Sequence, residues 1–79
     1  MKILFFAQAE AITGCDHARL DIDREISVDE LWEALLATFP ALEALRRATR
    51  VARNGEYANS ATRLDPADEI ALIPPVSGG

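Results

Sequence analysis

The chain has 79 residues, 49% of them hydrophobic, with thirteen acidic residues against eight basic ones, a net charge of −5 and one cysteine. That length makes one small domain with a single core and little room for a deep cavity, and the apolar content predicts folding rather than disorder. The acid excess argues against nucleic acid, whose phosphates require clustered Lys and Arg; one thiol excludes an internal disulfide and fits a reducing cytoplasm; no apolar run approaches the roughly 18 residues of a membrane span.

Met1-Lys2-Ile3-Leu4-Phe5-Phe6 is apolar too early and too briefly for a secretory signal. Residues 2 to 8 are apolar and β-prone, which predicts a strand with Ile3, Phe5 and Ala7 on one face and Leu4, Phe6 and Gln8 on the other. Both faces are apolar, so the strand is covered on both sides or one face is meant for a partner. Residues 9 to 16 contain Thr13-Gly14 and read as a turn. His17 to Asp23 alternates, with Ala18, Leu20 and Ile22 against Arg19, Asp21 and Asp23, and predicts a half-exposed strand antiparallel to the first.

Ser27-Val28-Asp29-Glu30 has the pattern of a capping box. The helix it opens runs to about Phe39, with Val28, Leu31, Leu35 and Phe39 at helical spacing on one face. Trp32 sits one step off that stripe and is expected to flank the core. Pro40 stops the helix, because the residue before a proline is pushed out of the α region. Ala41 to Ala48 reads as a second, short helix. Arg50 to Arg53 is a short strand and Asn54-Gly55 a tight-turn signal. Glu56 to Leu64 is poorly patterned, with one short strand near Tyr57. Asp65-Pro66-Ala67-Asp68 reads as a type I turn, Glu69 to Ile73 as the last strand, and Pro74-Pro75 as its end.

The order is hairpin, helix, short strands, final strand. The simplest packing lays one amphipathic helix across a mixed sheet with the last strand beside the first. That is an α+β, ubiquitin-like β-grasp arrangement. The domain spans residues 1–76 and a Gly-Gly tail spans 77–79.

Ser77-Gly78-Gly79 closes the sequence. Two glycines pass through a narrow channel that any Cβ would block, and four extended residues reach about 13 Å. The prolines are expected to hold the root of that tail stiffly. If Ile3 and Phe5 face the helix, Leu4 and Phe6 face outward, joined by Ala71 and Ile73. Leu4, Phe6 and Ile73 then form an exposed apolar patch near the tail, which a small domain rarely keeps without a partner. The competing reading covers part of this face with the 56-to-64 segment. The acidic net charge suits a basic partner.

Other residues carry weaker signals. Cys15 follows Gly14 in the first loop, with His17 two residues on; no basic pair supports it as a nucleophile, and one Cys with one His cannot complete a metal site. Asp21, Asp23, Asp29 and Glu30 read as a polar strand face and a helix N-terminus, where anions are favoured. Arg46, Arg47, Arg50 and Arg53 read as a solvated helix end rather than a binding patch.

Leu4-Phe5-Phe6-Ala7-Gln8, Gly14, Asn54, Leu64-Asp65-Pro66-Ala67-Asp68-Glu69-Ile70-Ala71 and Pro74-Pro75-Val76-Ser77-Gly78-Gly79 span nearly the whole chain. In these pieces the sequence resembles the small, sulfur-carrying subunits of molybdopterin synthase (MoaD-type), of the MoaD/ThiS superfamily. It departs from them at Glu10-Ala11, where Arg-Glu is usual, and at Ala67, where glycine is usual.

The resemblance implies a mechanism. An E1-like adenylyltransferase uses ATP and Mg²⁺ to adenylate the Gly79 carboxylate. A sulfurtransferase fed by a cysteine desulfurase converts the adenylate to a thiocarboxylate. The carrier docks on the molybdopterin synthase large subunit through Leu4, Phe6, Ile73, Pro74, Pro75 and Val76. Ser77, Gly78 and Gly79 then enter that subunit's active site, where sulfur passes to a cyclic pyranopterin. The resemblance further implies a cytoplasmic heterotetramer, with no cofactor held permanently by this chain. Alternatives of the same tail chemistry are a sulfur carrier for thiamine, cysteine or tRNA thiolation. A ubiquitin-like modifier is the alternative of a different class.

Overall fold

The computed structural model describes residues 1–75. The expected domain boundary at 76/77 and the docking and tail positions Val76, Ser77, Gly78 and Gly79 lie outside those residues. Strand β1 (Lys2–Phe5) pairs antiparallel with β2 (His17–Arg19) and parallel with β7 (Glu69–Ile73). Strand β4 (Arg50–Arg53) pairs antiparallel with β7 and with β5 (Glu56–Tyr57), which gives a five-stranded mixed sheet of order β2-β1-β7-β4-β5. Two short strands, β3 (Ile26–Ser27) and β6 (Arg63–Leu64), form a separate antiparallel pair.

Helix α2 (Val28–Thr38) starts as the sequence predicts. The Glu30 amide donates to the Ser27 hydroxyl at 3.1 Å, and the Ser27 amide donates to the Glu30 carboxylate at 3.0 Å. Phe39 closes the helix with φ −128°, the extended value that Pro40 imposes on its predecessor. The helix buries Leu31, Trp32 and Leu35 against Ile3, Phe5, Ile70 and Leu72 of the sheet. Phe5 and Phe39 meet edge to face with centroids 5.4 Å apart.

Several expectations are corrected. Strand β1 ends at Phe5 rather than residue 8, and residues 8–13 are not a turn but helix α1 (Gln8–Thr13). Ala7 bends the chain with φ +50°, and the run Gln-Ala-Glu-Ala that follows consists of strong helix formers. Gly14 ends α1 with φ +78°, its amide donating 2.9 Å to the Glu10 carbonyl. The strand expected over His17–Asp23 stops at Arg19. The second short helix is a 3-10 helix over Pro40–Leu45. Trp32 does not flank the core but belongs to it, 4% exposed, because the buried stripe of α2 is wider than its four spaced apolar residues suggest.

Asn54 and Gly55 both have positive φ, +50° and +87°, which makes the β4–β5 connection a type I′ hairpin. Asp65–Asp68 closes with a 2.9 Å bond from the Asp68 amide to the Asp65 carbonyl, and Ala67 keeps a negative φ, as a type I turn requires. The Asn54 side chain links the two turns. Its amide donates 2.9 Å to Asp68, and its carbonyl accepts from the Glu69 amide at 2.9 Å. The Asp68 carboxyl is held below its ordinary pKa, first by the Asp65 amide and then by Asn54 and the Arg53 cation. This clasp fixes where β7 begins, and so the register of the strand that leads to the tail.

Candidate functional site

The inward face of the sheet is closed by the helices, and Ile3, Phe5, Ile70 and Leu72 are each at most 1% exposed. The outward face follows from the ladder registers. Leu4 lies opposite His17 on one side and Ala71 on the other; Ala71 lies opposite Ala52, and Ala52 opposite Tyr57. One row therefore crosses all five strands. In the next row Ile73 lies opposite Arg50, and the parallel register brings Phe6, one residue past β1, level with Ile73.

No part of the 56-to-64 segment covers the centre of this face. Strand β5 extends the sheet at its edge, and β6 pairs with β3 and sends Leu64 fully into the core. Phe6 remains 47% exposed and Tyr57 62%, while Leu4, Ala71 and Ile73 are half-buried. An open depression of about 400 Å³ beside Phe6 is lined by Leu4, Glu10, Asp16 and His17 among others. Of the residues expected to dock, Leu4, Phe6 and Ile73 share this face. Pro74 is buried in the chain itself and Pro75 is exposed at the end of β7. Val76 falls outside the described residues.

Tyr57 is the member of this face that sequence patterning missed. The signal was present in Asn54-Gly55: a two-residue hairpin fixes Arg53 opposite Glu56, hence Ala52 opposite Tyr57. The arginines do not form one cluster. Arg46 lies over the Trp32 ring and 3.6 Å from Asp29, Arg53 donates 2.9 Å to the Arg63 carbonyl, and Arg50 lies over Tyr57. Cys15 is half-buried against the core, its carbonyl accepting from the Thr13 hydroxyl at 3.1 Å. His17 contacts its neighbour Asp16 at 2.6 Å. Among the described residues no three His, Cys, Asp or Glu side chains gather to hold a metal ion, and no helix is long and apolar enough to cross a membrane.

A parallel β1–β7 pair at the heart of a mixed sheet, one long helix across it and an open apolar face beside the end of the last strand define a ubiquitin-like β-grasp protein. The same fold occurs in the crystal structure of SAMP1 from Haloferax volcanii, with a TM-score of 0.86, 35% identity, and coverage of 100% of this chain and 98% of that one. The chain belongs to the ThiS family, whose sequence model matches residues 3–79. It is 34% identical over its full length to a molybdopterin synthase sulfur carrier subunit of Arabidopsis thaliana, covering 82% of that protein. It is 36% identical to small archaeal modifier protein 1 of Haloferax volcanii, covering all of both chains. It also superposes, with a TM-score of 0.62 and 26% identity, on a chain in the complex of subunits 1 and 2 of the molybdopterin-converting factor from Helicobacter pylori, covering 99% of this chain and 96% of that one.

Proposed function

We propose that this chain is the sulfur carrier of a molybdopterin synthase, with the Gly79 carboxylate as its working group. The observation that carries the reading is full-length similarity to molybdopterin synthase sulfur carrier subunits, joined to an apolar face at the end of the strand leading to Ser77-Gly78-Gly79. An E1-like adenylyltransferase supplies ATP and Mg²⁺. A carboxylate oxygen of Gly79 attacks the α-phosphate of ATP and pyrophosphate leaves. A persulfide sulfur from a sulfurtransferase or cysteine desulfurase then displaces AMP, and reduction of the acyl disulfide by a thiol frees the thiocarboxylate. The charged carrier docks through Leu4, Phe6 and Ile73 on the synthase large subunit and delivers sulfur to a cyclic pyranopterin. In this reading the acids, bases and pterin pocket belong to the partner.

The test is reconstitution with the large subunit. The thiocarboxylated chain should yield molybdopterin from cyclic pyranopterin and the plain carboxylate should not, while deletion of Gly79 abolishes transfer and leaves the fold intact. A thiocarboxylated chain that docks yet delivers no sulfur refutes the assignment.

Similarity over the full length of small archaeal modifier protein 1 favours a second reading, attachment to other proteins through Gly79. Tryptic digests of cells making the chain distinguish the two. Lysines carrying the Leu64–Gly79 segment that cleavage after Arg63 leaves behind support the modifier, and an oxygen-to-sulfur mass shift at Gly79 without such branched peptides supports the carrier.

A further inference from the structure

The outward sheet face is less acidic than the chain as a whole, and its charges are unevenly spread. The protein carries thirteen acidic residues against eight basic ones; among the described strand residues the ladders place Lys2, Arg19 and Arg50 on this face with Glu69, and Glu10 and Asp16 line the depression at its other side, beside Phe6. Glu69 lies 4.0 Å from Lys2. Arg19 and Arg50 have no carboxylate within ion-pair distance among the described residues.

Arg50 is the better placed of the two. Its guanidinium carbon lies 4.2 Å from the centroid of the Tyr57 ring, within the range of a cation–π contact. The Arg50 side-chain N–H groups have no hydrogen-bond or ion-pair partner among the described residues. Register sets Arg50 directly opposite Ile73, the last residue of β7. A fork of donors thus borders this face beside the end of β7.

We propose that Arg50 is the charged anchor of this face, and that the partner meets it with an Asp or Glu carboxylate set at the rim of an apolar socket. The inference rests on the sulfur-carrier reading and names the chemistry of the surface that reading requires. Charge complementarity selects a carboxylate on a protein. A polyanion such as nucleic acid would meet three cations on this face and then the acids of the remaining surface. The net charge of the chain taken alone favours a basic partner; the distribution of charge over the sheet favours an acidic rim around this contact. A planar guanidinium binds a carboxylate through two parallel hydrogen bonds, which fixes orientation as well as affinity. That orientation would aim the tail.

The test is calorimetric titration of the molybdopterin synthase large subunit from the same organism with the full chain, comparing wild type, R50K, R50A and R50E. Measurements at about 0.1 M and about 1 M salt span a fall in Debye length from about 10 Å to about 3 Å. R50A should bind about tenfold more weakly at low salt, R50E more weakly still and R50K in between, as expected for losing a charge-assisted hydrogen bond. The gap between wild type and R50E should narrow at high salt. Binding by R50A and R50E within about twofold of wild type at low salt, on the same affinity scale, overturns the anchor while leaving the carrier reading in place. A loss equal at both salts also overturns it, because it assigns Arg50 a packing role under Tyr57. No binding by the wild-type chain overturns both.

Discussion

Ser27 and Glu30 exchange hydrogen bonds across the first turn of α2, amide to hydroxyl at 3.1 Å and amide to carboxylate at 3.0 Å. Glu30 also receives a 2.9 Å bond from Arg24. The Ser27 amide first, and the Arg24 side chain second, pull the Glu30 pKa down to about 2. A carboxyl whose folded pKa lies below its unfolded value of about 4.3 contributes stability that is complete above that pH and is lost as pH falls toward 2. The side-chain carboxyl resonance of Glu30 should titrate near pH 2, well below those of exposed glutamates. Ser27→Ala should cost about 1 kcal/mol by chemical denaturation, and Glu30→Gln should flatten the acid limb of the stability profile.

Asn54 offers a separable test of conformation and hydrogen bonding. It has φ +50°, and its side chain bridges Asp68 and Glu69 at 2.9 Å each. Asn54→Gly keeps access to positive φ but loses both bonds; Asn54→Ala loses both bonds and strains the turn. Each lost bond is worth about 1 kcal/mol and a non-glycine residue at positive φ about 1 kcal/mol more. Denaturation should therefore rank wild type above Asn54→Gly above Asn54→Ala. Equal losses in the two variants would show that the side-chain clasp, not the φ angle, dominates.

Leu72 sits at the centre of the sheet with no exposed surface, inward on β7 between Phe5 and Val51. Leu72→Ala should destabilise the chain by about 2–5 kcal/mol. That is a large share of the roughly 4–12 kcal/mol expected for a domain of this length. Thermal melting should show either a strongly lowered transition or no cooperative transition.

Phe6 is 47% exposed and lies just beyond the ladder. Phe6→Asp should leave the melting temperature within a few degrees of wild type, since surface changes are usually within about 0.5 kcal/mol. Binding to the synthase large subunit should fall by about 100-fold or more, the loss expected of a desolvated aromatic anchor. Undiminished binding by the folded variant would remove this face from the docking surface.

Local chemistry made much of this fold legible in the sequence. The Ser27–Glu30 box, the Pro40 stop, the Asn54-Gly55 hairpin, the Asp65–Asp68 turn and the β7 strand each depend on a few adjacent residues, and each formed where their pattern placed it. Helix α1 was missed because the apolar alternation of β1 masked the short Gln8–Thr13 run, whose helical character depends on a backbone bend at Ala7 that composition does not announce. Strand β6 was missed because two residues carry no period, and its partner Ile26–Ser27 is 38 to 36 positions away by register.

The sequence by itself determined the local elements, the two-faced character of β1 and β7, and the sulfur-carrier resemblance carried by its motifs. Each follows from short-range backbone preferences or from the order of residues along the chain. Only the tertiary structure decided which residues share a surface. Arg50 and Tyr57 are seven positions apart and meet because a hairpin folds β5 back on β4; Leu4 and Ala71 are far apart in sequence and meet through a parallel ladder. Strand pairing is a non-local choice, fixed by burial of the opposite face, and it gathered Leu4, Ala71, Ile73 and Arg50 on one sheet face.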